Sequence, residues 1–166
     1  LAKAMATPDS GATNAEARSA TVPLHAQDAD IKKQLQGVDL TGVKQLRLSP
    51  NGELAAGLTG RYENSGARSG SFSLLKIWSI EEQELLHKFR VPGKACKVAF
   101  SPDGSTVVAA ATTGNLGHTT TIRAWDLAEG TERKVGTCAG EIGELCFASD
   151  GGQLAAVARL GYGPRH

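Results

Sequence analysis

The chain has 166 residues, with 18 Lys plus Arg against 17 Asp plus Glu for a net charge of +1. That length suits one domain with a sizeable core, and the even charge balance supplies no field that would draw the chain to nucleic acid or an anionic membrane. Apolar runs are only a few residues long, far short of the roughly 20 that cross a bilayer as a helix.

Residues 1–28, LAKAMATPDSGATNAEARSATVPLHAQD, are rich in Ala, Ser, Thr, Pro and Gly and nearly lack large apolar side chains. Such a stretch cannot offset its ordering entropy by burial, so a flexible linker or a frayed helix is expected. The chain starts at Leu1 rather than Met, which leaves room for an upstream segment. Beyond Asp30, short runs of Val, Ile, Leu, Phe and Trp alternate with clusters of Gly, Pro, Asn and Asp, the pattern of many short strands.

One phrase recurs three times: QLRLSPNGELAAG from Gln45, KVAFSPDGSTVVAA from Lys97 and ELCFASDGGQLAAV from Glu144. Aligned on the turn, Asn51, Asp103 and Asp150 stand 52 and then 47 residues apart, and Trp78 and Trp125 are again 47 apart. A period in the forties with several strands per unit predicts a repeat architecture. In Ser101-Pro102-Asp103-Gly104 the Pro presets φ, the Asp suits the third turn position and the Gly accepts a left-handed conformation, so two antiparallel strands close on a short loop. Asn51-Gly52 and Asp150-Gly151 serve the same turn in the outer phrases. A third strand follows over 71–80 and 119–127, and a fourth, charged one over 84–91 and 131–138. Four antiparallel strands per unit is the count of a propeller blade. The inner strands are apolar or small on both faces, as sheets stacked between neighbours require, and the charged fourth strand suits a wet outer rim.

V-A-F-S-P-D-G at 98–104, I-R-A-W-D at 122–126 and the weaker K-I-W-S at 76–79 resemble the WD40 repeat family across roughly residues 30–162. The resemblance implies an all-β fold, a β-propeller of which this chain holds about two and a half four-stranded antiparallel blades in an incomplete ring. It divides the chain into the linker at 1–28, an outer strand of a preceding or closing blade with its loop at 29–42, repeats at 43–94 and 95–141, and half a repeat at 142–166. Ile31 to Gln36 is the candidate for that outer strand. The family's Gly-His before the first strand is missing, since those segments read Val91-Pro92-Gly93-Lys94 and Cys138-Ala139-Gly140-Glu141. Trp78 and Trp125 are therefore expected as packing anchors alongside Asn51, Gly52, Asp103, Gly104, Asp150 and Gly151.

Two and a half blades leave apolar sheet faces open, so further blades of the same chain, expected after His166, or other copies of it, are the expected neighbours. Loops after the second and fourth strands share one face. Tyr62 and Tyr162 each lie eight residues beyond the Leu that opens a second strand, and Asn115 holds the matching place in the middle unit. With Arg61, Arg68, Arg159 and Lys94 they form the candidate partner-binding set, because Tyr and Arg are enriched in interface hot spots. The function this implies is a non-catalytic scaffold that binds another protein or peptide through the loop face, gripping an acidic or polar segment.

The enzyme class is carried as the alternative: a propeller module of a larger lactonase-like or quinoprotein-like enzyme, with catalytic residues outside this segment. His25, His87, His118 and His166 are scattered, and Glu81, Glu82 and Glu84 read as a solvated run. Cys96, Cys138 and Cys146 have no C-x-x-C pairing and no His at zinc spacing, so they read as small core residues. No phosphate-binding Gly motif is present. No catalytic residue, metal ligand set or cofactor is expected in these residues, nor a nucleic-acid or membrane partner.

Overall fold

A computed structural model describes residues 24–60, 62–63, 71–113 and 119–159, with backbone alone for 24–28 and 62–63. Among the described residues one helix, α1 (Leu24–Gln34), precedes eleven strands: β1 (Val43–Leu48), β2 (Leu54–Thr59), β3 (Tyr62–Glu63), β4 (Ser71–Ser79), β5 (Glu84–Pro92), β6 (Lys94–Phe100), β7 (Thr106–Thr113), β8 (Thr119–Asp126), β9 (Glu132–Ala139), β10 (Glu141–Phe147) and β11 (Leu154–Arg159). All strand pairs are antiparallel. The first sheet runs β1-β2-β4-β5 with the short β3 on the end of β4, the second runs β6-β7-β8-β9, and β10 pairs with β11. These three sheets stack face to face as consecutive blades of a partial β-propeller with no closed ring.

The turns explain why the phrase recurs. Gly52, Gly104 and Gly151 take φ of 76°, 73° and 72°, and each donates its N–H at 2.9 Å to the carbonyl three residues back, on Ser49, Ser101 and Ala148. The Asn51, Asp103 and Asp150 side chains accept the N–H two residues on, from Glu53, Ser105 and Gly152. Such Asx turns hold the corner while the Gly closes the hairpin without a Cβ penalty.

Between blades the core is built from alternate residues on the facing strands. Ala56, Leu58, Leu75, Ile77 and Val91 of the first sheet meet Val98, Phe100, Val107, Ala109, Ala111 and Trp125 of the second. Val108, Ala110, Ile122 and Ala124 on its other face meet Ile142 and Leu145 of the third. Trp125 is 1% exposed and stacks on Phe89, the ring centroids 5.6 Å apart.

The segment 29–42 departs from expectation. Residues 31–34 are the last turn of α1, so Ile31 to Gln36 forms no outer strand. The physical reason is legible: Ile31 and Leu35 are spaced i, i+4 rather than alternately, and Ala, Gln and Lys around them favour a helix. Both side chains are buried with Trp78, Leu46 and Ala55 on the first sheet. Residues 1–23 of the expected linker lie outside the described residues, and its last five belong to α1. Of the cysteines, Cys96 and Cys138 are half-buried and pack against the core between the second and third sheets, whereas Cys146 is exposed, since among the described residues no further sheet covers it as the third sheet covers the matching Ala99.

Candidate functional site

The first strand of every blade carries the same irregularity. Register shifts fall between Val43 and Gln45, Ala95 and Lys97, and Ile142 and Glu144, inserting Lys44, Cys96 and Gly143 as the extra residues. These bulges sit where the first strand begins and the second ends, the end of the stack that carries the loops after the second and fourth strands. A bulge re-aims a side chain that a regular ladder would hold on one sheet face. Lys44, Gln45, Leu58, Thr59, Lys94, Ala95 and Cys96 line a cavity of about 380 Å³ between the first two blades, the Cys96 thiol itself turning to Ala110 and the core shared with the third sheet.

The walls of this cavity are tied down. The Gln45 Oε1 accepts a hydrogen bond from the Val98 N–H at 3.0 Å, linking the innermost strands of two blades. Thr59 Oγ1 accepts the Leu74 N–H at 2.8 Å. The Cys96 Sγ donates to the Ala110 carbonyl at 3.3 Å, and burial pushes its thiol above the ordinary range, with a weaker opposing effect from Thr112. A thiol held protonated is a poor nucleophile. Lys44 and Lys94 are exposed at the rim. The Lys94 Nζ stands 3.9 Å from the Glu141 Oε1 with both side chains at least half exposed, a loose pairing of the kind contributing at most about 1 kcal/mol. The mouth thus offers two exposed ammonium groups over an apolar and hydroxyl-lined floor.

Of the expected partner-binding residues, Lys94 and Arg159 both neighbour Glu141: its carboxylate faces Lys94, Arg159 is its ladder partner, and the Arg159 side chain passes over Gly143, 3.1 Å from where a Cβ would stand. Tyr62 lies in β3 opposite Phe72, with only its backbone described. Arg61, Arg68, Asn115 and Tyr162 lie outside the described residues.

The opposite end of the stack holds the Ser-Pro-Asp-Gly turns. Here the Ser is the hub: the Ser101 Oγ donates to Asp103 at 2.5 Å and accepts the Thr106 N–H at 2.9 Å, and Ser49 repeats the pattern with Asn51 and Leu54. Those bonds hold the Asp103 carboxyl below its usual range, the Ser101 hydroxyl first and Ser105 next. A carboxylate so saturated is committed to the turn. Among the described residues no group of three or more His, Cys, Asp or Glu could hold a metal ion.

A second hydroxyl device marks the turns between blades. Ser73 and Thr120, 47 residues apart, donate to the carbonyls of Gly93 and Gly140, also 47 apart, and the Ser73 Oγ also accepts the Ala95 N–H at 2.9 Å. Sequence reasoning missed both hydroxyl sets and Gln45. The signal for the first was a Ser two positions before Asn51 and Asp103, absent only in the third phrase.

No protein-family model matches the chain, and no curated protein matches it. Among solved structures it is similar to the β-propeller domain of the trilobed protease from Pyrococcus furiosus, with 18% identity and a TM-score of 0.52 over 69% of this chain and 32% of that one. It also resembles Pyrococcus horikoshii acylaminoacyl peptidase, at 20% identity and a TM-score of 0.47 over 64% of this chain and 16% of that one. The chain thus spans about a third or less of either. Three stacked antiparallel sheets with recurring hairpins, together with the first of these likenesses, make the fold a partial β-propeller.

Proposed function

We propose that this propeller segment is a non-catalytic interaction module of the WD40 type that grips an acidic segment of another protein at the bulged end of its inner strands. The observation that carries the reading is the 380 Å³ cavity between the first two blades, whose rim presents Lys44 and Lys94. Two ammonium groups at the mouth of a partly apolar recess suit a carboxylate side chain flanked by an apolar residue. Arg159 extends the basic character beyond Glu141, and the WD40-like phrases are the basis for the finer family assignment.

The test uses a fluorescein-labelled peptide of alternating Glu and Leu and follows its anisotropy with the 166-residue chain. Saturable binding that weakens tenfold or more in the Lys44→Glu, Lys94→Glu double variant, and falls with added salt, is the expected result. Equal affinity of the two proteins, or no binding at all, overturns the reading.

A second reading is favoured by one finding: the structure with the higher TM-score is a propeller domain of a protease. On that reading the segment is a propeller module of a larger enzyme, with its reacting groups elsewhere. Hydrolysis of a peptide library by the parent protein, unchanged on Lys44 and Lys94 substitution, separates it from the first.

A further inference from the structure

Gln83 adopts φ of +57°, the left-handed region, and is the only described non-glycine residue to do so. In the next blade the matching position, 47 residues on, is Gly130 at φ +66°. The β4–β5 turn therefore holds a side chain in a conformation that its repeat counterpart reaches without cost, and such strain persists where the side chain has a task. The side chain reaches α1. Its Nε2 donates to the Gln34 carbonyl at the last turn of the helix and to the Ile80 carbonyl at 2.6 Å, while its Oε1 accepts the Gly37 N–H at 3.4 Å. One of those bonds is local to the turn, one satisfies a carbonyl that the helix C-terminus leaves unpaired, and one holds the chain just beyond the helix.

A second observation is independent of that turn. Trp78 and Trp125 occupy matching positions, opposite Ala55 and Val107 on their second strands, and both are 1% exposed. Trp125 is covered by the preceding sheet, through Phe89 and its neighbours. Trp78 is covered by Ile31 of α1 and by Leu35 just beyond its end, themselves 2% and 1% exposed.

We propose that α1 is a surrogate blade: it sits on the first sheet where a neighbouring sheet sits on the second, and Gln83 is the clasp that keeps it there. Docking of α1 and docking of another sheet on the Trp78 face are then mutually exclusive. A propeller can close through that face only after the clasp opens. α1 is a device that holds the face shut against other chains' sheets.

Hydrogen exchange read by mass spectrometry on the 166-residue chain tests this with Gln83→Gly and Gln83→Asn. Both relieve the left-handed strain, since Asn tolerates it, and neither reaches the helix. Loss of protection of about tenfold over residues 29–36, with β6–β9 unchanged, is expected from two lost hydrogen bonds. Unchanged or increased protection would show that Gln83 serves the turn alone and overturns the clasp. An Ile31→Asp, Leu35→Asp double variant checks the seat: acrylamide should then quench one of the two tryptophans while β6–β9 stay protected. Quenching as in the wild type, or loss of protection through all three sheets, would show that α1 is no separable cover for Trp78.

Discussion

The side-chain carbonyl of Gln45 and the backbone N–H of Val98 meet at 3.0 Å across the gap between two blades. Val98 is 3% exposed and lies on an inner strand whose far edge has no ladder partner, so this amide is satisfied only because a neighbouring blade reaches over. Gln45→Leu keeps the bulk and strands the Val98 N–H. A loss of about 1–3 kcal/mol is expected, the usual cost of a buried unpaired donor, read as a lower urea midpoint with unchanged slope.

The hub hydroxyl of the hairpin turn gives a paired prediction. Ser101→Ala removes the acceptor of the Thr106 N–H and the donor to Asp103, so it should cost about 1–2 kcal/mol. In the third phrase Ala148 holds the hub position, and its turn retains only the backbone bonds and the Asp150 contact. Ala148→Ser should therefore stabilise, by about 0.5–1 kcal/mol. Thermal unfolding of both variants checks the sign of each change. Two shifts in the same direction would refute the hub.

How much of this was legible beforehand follows from where each feature is decided. Third and fourth strands expected over 71–80, 84–91, 119–127 and 131–138 match β4, β5, β8 and β9 to within a residue or two, because alternation, Trp burial and turn chemistry are local. Gly52, Gly104 and Gly151 were likewise readable, since Pro-Asp-Gly chemistry dictates the left-handed corner without help from distant residues. Gln45, Lys44 and the hydroxyls of Ser73 and Thr120 were not, because their partners lie on another strand or blade and spacing says nothing of them. The helix at Leu24–Gln34 was half legible. Its i, i+4 spacing was in plain view, but its seat on Trp78 was settled by an apolar face the sequence does not locate.

Register across the blades predicts a sharp contrast between two valines. Val108 faces the third sheet and is 1% exposed, whereas Val157, in the position matching the fully buried Ala110, is 61% exposed. Val108→Asp buries an unpaired carboxylate and should cost more than about 4 kcal/mol, leaving the chain unfolded or aggregated. Val157→Asp should fall within about 0.5 kcal/mol of the wild type in stability. Comparable losses at both sites, by circular dichroism on heating, would mean that the outer face of the third sheet is covered in solution.

Gly57 is where backbone and Trp78 come closest: a Cβ there would stand 2.6 Å from the indole ring and 3.1 Å from the Val43 Cγ1. The ring is hemmed in by Ile31, Leu35 and Leu46 and has nowhere to retreat. Gly57→Ala should cost about 1–3 kcal/mol by overpacking, even though Ala is the better strand residue, and the matching position in the second blade is already Ala109. Stability that rises on this substitution would deny the close contact.

Three groups give the stability profile its limbs. Asp103 is held below its ordinary 3.8 by the Ser101 and Ser105 hydrogen bonds, so its contribution is present above that unfolded-state value and is lost as pH falls through the lower folded value. Asp39, lowered by Thr41, adds to the same acid limb. Cys96 is raised above 9.0, chiefly by burial; its contribution is complete below that value and disappears as pH climbs through the higher folded one. Asp103→Asn should thus flatten, without abolishing, the fall in stability below about pH 4, and Cys96→Ala should flatten the fall above about pH 9. The readout is the slope of unfolding free energy against pH, which a packing change at Cys96 leaves untouched. A Cys96→Ala chain with the wild-type alkaline slope would place the thiol in water and deny its seat in the core between the second and third sheets.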